Sequence, residues 1–359
     1  NTPYRPTTTD KELGFVVAAL GNDELTYEKK HEFNFGVDAG FFNNRLNVTF
    51  DVYQRRNFDE IAPTVTQLYG TAYANVGSMK SWGEELSISS TNVKTNDFSW
   101  QTSLIYSHNR TEITDLYNQG RVIDLVQGNG FAKQGYPARA LFSIPFVGIN
   151  EKGNPVCINE KGQATVGDLN FQERNNTDYL IYEGSTDPIY NGSLGNTFNY
   201  KGFHLNLFLT YAFGNVVRLD PVFSAKYNDL TSMTHDFKNR WMQPGDENVT
   251  NVPGVVSRYE YEQNRTLLST AYNAYNYTSV RTAKGDFIRL KEISLAYDFP
   301  HRWLENSPVN NISLKLQATN LMLLYADKKL NGQDPEFMNA GGVASPMPKQ
   351  FTLTLKLGL

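Results

Sequence analysis

The sequence predicts an all-β chain of transmembrane, antiparallel, up-and-down β-barrel strands, and three observations carry that prediction. Apolar and polar residues alternate with period two through about nine segments of roughly 9 to 13 residues each. The connections between those segments are short and long in strict alternation. Aromatic residues gather beside the short connections.

The first strand alternates Phe33, Phe35, Val37, Ala39 and Phe41 with polar residues or glycine, and a second runs from Leu46 to Tyr53. Weaker alternation marks Glu85 to Ser89, Phe98 to Tyr106 and Tyr190 to Tyr200. Phe203, Leu205, Leu207, Leu209, Tyr211 and Phe213 form a strong strand. Phe287 to Phe299 alternates more weakly, and a slip at Lys291-Glu292 predicts a bulge there. Ile312, Leu314, Leu316 and Ala318 alternate with Ser313, Lys315, Gln317 and Thr319, and Phe351 to Leu359 alternates at every step. Leu314, Leu316, Leu353 and Leu355 are therefore expected on a lipid face, with Ser313, Lys315, Thr352 and Thr354 inward. Strands of this length exceed the five or six residues usual in soluble sheets. One face of a soluble β-sandwich is the alternative.

Connection lengths decide between the two. Residues 43–45, 93–97, 201–202 and 300–311 are short turns, whereas 59–81, 112–189, 215–286 and 323–350 are long. In a meander this places every tight turn at one end and every long loop at the other, as in outer-membrane barrels with periplasmic turns and extracellular loops. Structureless loops of about 70 residues would be foreign to a compact soluble domain. Phe41, Phe42, Phe98, Trp100, Tyr200, Phe203, Phe299 and Trp303 flank the short turns, where an interfacial girdle belongs.

Composition agrees. A mean hydropathy of -0.47 over 359 residues does not oppose a membrane role. A membrane strand exposes only alternate side chains to lipid, and polar loops dominate the average. No apolar run approaches the ~20 residues of a spanning helix. A net charge of -4 without a basic stripe excludes nucleic acid as a partner. The single cysteine, Cys157, forms no internal disulfide.

At this point a family comes into view. Gly285-Asp286-Phe287-Ile288-Arg289-Leu290-Lys291-Glu292-Ile293-Ser294-Leu295-Ala296-Tyr297 resembles the late-barrel signature of SusC-like, TonB-dependent outer-membrane transporters. Segments 40–46, 198–203, 318–321 and 348–352 resemble the same family in the same order. The resemblance runs from about Leu25 to Leu359. It implies the C-terminal strands of a 22-stranded barrel with an N-terminal plug, energised through TonB and capped by a SusD-like surface lipoprotein. The outer membrane of a Gram-negative, Bacteroidetes-type cell is the implied location. The final Leu359 departs from the aromatic residue with which such barrels commonly finish. Strand parity then places residues 1–26 in an extracellular loop and 27–359 in the barrel. On this reading the chain is the C-terminal product of a cut in a surface loop.

Catalysis finds no support, since the five histidines are scattered without metal-ligand spacing and no phosphate loop or nucleophile elbow occurs. Asp168, Asn170 and Gln172 open like a calcium loop, but Glu173 and Tyr179 stand where Gly and Glu are needed. No enzyme activity, cofactor or metal is expected. The repeated Asn-Glu-Lys-Gly at 150–153 and 159–162 reads as two hairpin turns.

A binding surface remains. Tyr69, Tyr73, Tyr136, Tyr179, Tyr182, Tyr259 and Tyr261 are the candidate substrate-binding residues, joined in the loops by Tyr272, Tyr275 and Tyr277. Tyrosine stacks on sugar faces or peptide side chains and adds a hydroxyl. Packing within the loops, or against the lipoprotein, is the competing role for each. Lys315, Gln317, Glu85 and Asn206 are expected to line the channel or meet the plug. The function expected is import of an oligomeric nutrient, a glycan before a peptide. A surface adhesin or autotransporter barrel and a secreted carbohydrate-binding β-protein are the readings from other classes.

Overall fold

The computed structural model describes residues 2–3, 15–16, 22–66, 70–117, 119–128, 133–222, 234–305, 308–338 and 348–358. Nine long strands form one antiparallel sheet: β1 (Lys29–Phe41), β2 (Leu46–Thr66), β3 (Gly70–Lys94), β4 (Phe98–Leu116), β5 (Tyr190–Tyr200), β6 (Phe203–Phe213), β7 (Phe287–Asp298), β8 (Asn311–Ala326) and β9 (Gln350–Gly358). Each pairs with its sequence neighbours in the order β1 to β9, an uninterrupted meander. No helix among the described residues is long and apolar enough to cross a membrane.

Register confirms the facing read from the alternation. Leu355 pairs with Leu314, Leu314 with Tyr297, Tyr297 with Phe203, Phe203 with Tyr200 and Tyr200 with Phe98. Directly opposite residues share a sheet face, so this row lies on one apolar surface beside the tight turns. Phe203 and Tyr297 rings stand 4.4 Å apart, and Tyr297 and Phe299 5.1 Å. Leu316, Leu353, Leu355 and Leu357 are more than half exposed on this surface of the sheet. A second aromatic row, not anticipated, lies near the other end of the same surface: Tyr106, Tyr190, Tyr211, Phe213 and Tyr325. From Phe203 to Phe213 the strand climbs about 33 Å, or about 25 Å when tilted, the height of a barrel's lipid-facing band.

The tight turns follow from residues that tolerate left-handed backbone. Lys201 and Gly202 have φ of 47° and 85°, as a two-residue hairpin of right-handed twist demands. Arg45, the last residue of the β1–β2 turn, donates to the carbonyls of Thr91 and Asn92 and ties adjacent hairpins together. The slip at Lys291-Glu292 is a bulge: Phe208 pairs with Glu292 and Leu209 with Leu290, leaving Lys291 over. Two glycines are covered by tyrosines. Tyr53 lies across Gly83 and Tyr211 across Gly192, and a Cβ on either glycine would stand 2.6 Å from the tyrosine hydroxyl.

One expected connection is corrected. Within 59–81 the described residues, 59–66 and 70–81, are strand rather than loop, because β2 and β3 continue as a paired hairpin past Ala62 and Ala74. The strands cross two register shifts, between Asn57 and Glu60 and between Glu60 and Ile61, with Asp59 at a φ of 56°. Likewise β4 extends to Leu116 and β8 to Ala326, shortening the connections that follow.

The connections 117–189 and 214–286 fold rather than trail. The first carries α1 (Val122–Gln127), Ala140–Ser143 paired with Ile181–Ser185, and a three-stranded sheet of Phe146–Ile149, Pro155–Ile158 and Ala164–Thr165. The second carries α2 (Arg258–Gln263), α3 (Arg265–Tyr275) and Val216–Arg218 paired with Thr282–Lys284. Both Asn-Glu-Lys-Gly segments make hairpin turns. Asn150 Oδ1 accepts from the Lys152 and Asn154 amides, and Asn159 Oδ1 from those of Lys161 and Gln163.

Candidate substrate-facing surface

Behind the apolar surface lies a polar one, built from the alternate residues of each strand. Lys315 pairs with Thr354, Gln317 with Thr352 and Asn206 with Thr197, while Glu85 stands opposite Ser107 and Asp51. Near the tight turns its side chains form a continuous hydrogen-bonded belt. Asn199 donates to Ser99 at 2.9 Å, and His204 bridges Asn199 and Asp298 at 2.6 and 2.9 Å. A wall of this kind can offer hydrogen bonds to a polar ligand or a protein plug.

At the opposite end the loops make a body with its own cores. Val122, Leu125, Val126, Ala140, Phe142, Ile144, Cys157 and Leu180 pack with Ala274 of α3, so one core joins two connections. Val222, Val252, Leu268, Ala271, Tyr272 and Tyr275 form a second, against which Phe146 packs. A third unites Val217, Leu219 and Ala283 with Leu330 of the β8–β9 connection. Backbone bonds add to this seam, with the Ile144 amide donating to Tyr277 and the Ser279 amide to Ile144.

Three arginines, none singled out from the sequence, pin the seam. Arg218 donates to the Ser143 hydroxyl and to the carbonyls of Thr278, Val126 and Phe142. Burial pulls its pKa down to about 10, with Glu183 nearby as the opposing charge. Arg281 is 4% exposed, and it donates to Asp236 at 2.8 Å and to the Asp220 carbonyl. Arg289 Nη2 of β7 donates to both carboxylate oxygens of Asp334 at 2.5 and 2.6 Å, with Glu336 at 3.1 Å, anchoring the β8–β9 connection.

Burial opposes ionisation of Asp236, but hydrogen bonds from Arg281 and Asn331 outweigh it and hold the pKa below its ordinary 3.8. A depressed carboxylate contributes stability that is fully present above its unfolded value and lost as pH falls through the folded one. Hydrogen exchange in 234–239 and 279–284 should therefore rise as pH drops below that value. Asp236→Asn should lose most of this pH dependence. An unchanged pH profile in the variant would remove the pair from the account.

The tyrosines divide sharply. Tyr136 and Tyr182 come together with Phe142, centroids 5.0 to 5.6 Å apart, with Lys133 over the Tyr136 and Phe142 rings. Tyr179 packs against the first core, and burial raises its pKa. Tyr261 packs against the second core, whereas Tyr259 of α2 is 77% exposed. Tyr73, 57% exposed, lies apart on β3. Tyr272 and Tyr275 are fully buried, the former donating to Gly254 at 2.6 Å. Tyr69 lies outside the described residues. Among the described residues, the other six do not converge on one pocket, and only Tyr136 and Tyr182 touch.

No protein-family model matches the chain. TonB-dependent receptor P39 of Formosa agariphila is 26% identical over 381 residues, covering 93% of this chain and 35% of the relative. TonB-dependent receptor SusC of Bacteroides thetaiotaomicron is 26% identical over 356 residues, covering 94% of this chain and 32% of SusC. The structure of the RagAB peptide transporter superposes with a TM-score of 0.75 at 25% identity, over 99% of this chain and 38% of its own. The chain therefore spans about a third of the length of the relatives it matches. With an antiparallel wall apolar on one surface and polar on the other, this chain is a stretch of outer-membrane β-barrel, similar in sequence and fold to the SusC-like, TonB-dependent receptors.

Proposed function

We propose that the whole protein imports an oligomeric nutrient across the outer membrane, driven through TonB, with a SusD-like lipoprotein covering the loop end. The observation that carries this reading is the folded loop body standing over a lumen wall of hydrogen-bonding side chains. Loops with their own cores hold a shaped binding surface, which a sieve for small solutes does not need. A plugged lumen, as in the family, must be opened by work from the inner membrane. A glycan is the leading substrate, because the exposed rings of Tyr73, Tyr182 and Tyr259 offer flat faces and hydroxyls. An oligopeptide is the second reading, favoured by the likeness to a peptide transporter.

Cells lacking this protein should lose growth on one oligosaccharide while growing normally on its monomers. Disabling TonB or the lipoprotein should reproduce the loss. Loss of growth on oligopeptides alone would select the second reading. Full-rate uptake without TonB would reduce the protein to a diffusion pore and refute the proposal.

A further inference from the structure

On the outward surface of β1–β4, the residues just past the apolar band turn basic. On β1 the outward series Phe41, Ala39, Val37, Phe35 and Phe33 ends at His31. On β2 it passes from Val48, Phe50 and Val52 through Gln54 to Arg56. Trp82 is followed by Lys80 on β3, and Tyr106 and His108 by Arg110 on β4. Register sets these groups side by side. His31 pairs with Arg56 and Arg56 with Lys80, while Gln54 pairs with Trp82 and Trp82 with Arg110. On β6 and β7 the positions just past the band are Gly214-Asn215 and Gly285-Asp286, with no cation.

Arg56 and Arg110 are exposed, and neither makes a hydrogen bond or ion pair among the described residues. Two carboxylates share this surface, and both are engaged. Glu112 pairs with Lys80 at 2.9 Å, and Glu84 accepts from the Tyr106 hydroxyl at 3.2 Å. Lys80 and Arg110 both stand over the Trp82 ring, 5.3 and 6.0 Å from its centroid, which gathers their charges at one place. Phe33, Val52, Gln54, Arg56, Lys80 and Trp82 line an open trough of about 760 Å³. Arg110 lies about 13 Å along the strand beyond Tyr106 of the upper aromatic row, or about 10 Å along the barrel axis. Head groups begin at such an aromatic row and extend about 5–8 Å outward, within reach of a long arginine stem.

We propose that this trough holds a phosphorylated lipid of the outer leaflet. Arg56 and Arg110, about 10 Å apart across β3, bracket its head group, with Lys80 between them. A guanidinium offers phosphate paired donors, and the ammonium adds a point charge. The acyl chains lie along Val52, Phe35 and Phe33, continuous with the lipid-facing band. The lumen is on the opposite surface of the sheet, so a ligand passing through it does not meet these side chains. A second copy of the chain is a poor occupant. A two-fold contact centred here would set the unpaired arginines of one copy against those of the other.

The test titrates the whole protein, delipidated in detergent, with monophosphoryl lipid A and counts bound lipid by native mass spectrometry. Affinity for the lipid should fall about ten- to thirtyfold in the Arg56→Gln/Arg110→Gln variant. Lipid A stripped of its phosphate should bind the wild type as weakly as the phosphorylated form binds that variant. Arg56→Lys/Arg110→Lys keeps the charge and should recover part of the binding. Lys152→Gln/Lys161→Gln removes as much charge from exposed hairpin turns elsewhere and should leave binding unchanged. Should the glutamine variant not assemble, the two lipids compared on the wild type decide alone. Equal binding of the two lipids overturns the proposal, as does an equal loss in the Lys152/Lys161 variant. Full displacement of the lipid by an equal concentration of inorganic phosphate would also overturn it, by reducing the trough to a simple anion site. So would a lipid-free dimer that the glutamine variant splits, which would give this face to a second copy.

Discussion

Replacing Arg218 with methionine should release the loop body while leaving the barrel wall intact. The guanidinium serves four acceptors on three segments: the end of α1, the strand Ala140–Ser143, and Thr278. Methionine fills similar space but leaves those acceptors unpaired, at about 1–3 kcal/mol for each one that stays buried. Relaxation makes the sum sub-additive, and an overall loss of about 3–5 kcal/mol is expected, as for other broken buried charge networks. Glu183, whose Oε1 is buried without a hydrogen-bond partner among the described residues, would also lose an opposing charge. Arg218→Lys should rescue little, because one ammonium cannot reach four acceptors set out for a planar fork. The measurement is limited proteolysis of the assembled protein, with gel migration of the unheated barrel as the control. Fresh cuts in 117–189 and 214–286 with unchanged migration are expected. Wild-type resistance in the methionine variant would refute the pinning role.

The second large effect separates the two surfaces of the wall. Leu316 is 55% exposed on the apolar side and lies between Leu295 and Leu353. Arginine there should cost roughly 2–4 kcal/mol if it sits near the bilayer midplane. Gln317, the next residue, faces the lumen and pairs with Ser294 and Thr352. Gln317→Arg should leave folding into lipid vesicles nearly unchanged and act on transport instead. Equal folding defects from the two variants would contradict the assignment of surfaces.

The nine strands were legible because lipid enforces alternation: a residue facing hydrocarbon must be apolar, and its neighbour need not be. Where β2 and β3 pass beyond that band, lipid no longer dictates which residues are apolar, so 59–81 read as a loop. Asp59 and Glu60 in a bulge, where regular pairing fails, deepened the misreading. The upper aromatic row was obscured because Tyr106, Tyr190 and Tyr325 lie beside long connections, and sequence spacing alone does not give their common depth.

The tyrosines expose a different limit. Composition marks a tyrosine-rich loop, but burial is a tertiary property. Tyr272 and Tyr275 face the helix-packed core, while Tyr259, on a short neighbouring helix, stands in solvent. Arg218 and Arg281 carried no local signal either, since their acceptors are mostly backbone carbonyls from distant segments. Each would resemble an ordinary surface arginine in any window of sequence.

The shared cores also bear on how such proteins diversify. Ala274 completes a core supplied otherwise by the preceding connection, and Leu330 completes one supplied by Val217, Leu219 and Ala283. A loop transplanted singly from a relative would arrive with half of each interior and no match for the rest. Recombination that preserves function must then carry 117 to 338 as one cassette, and new ligand preferences would be inherited in blocks rather than loop by loop.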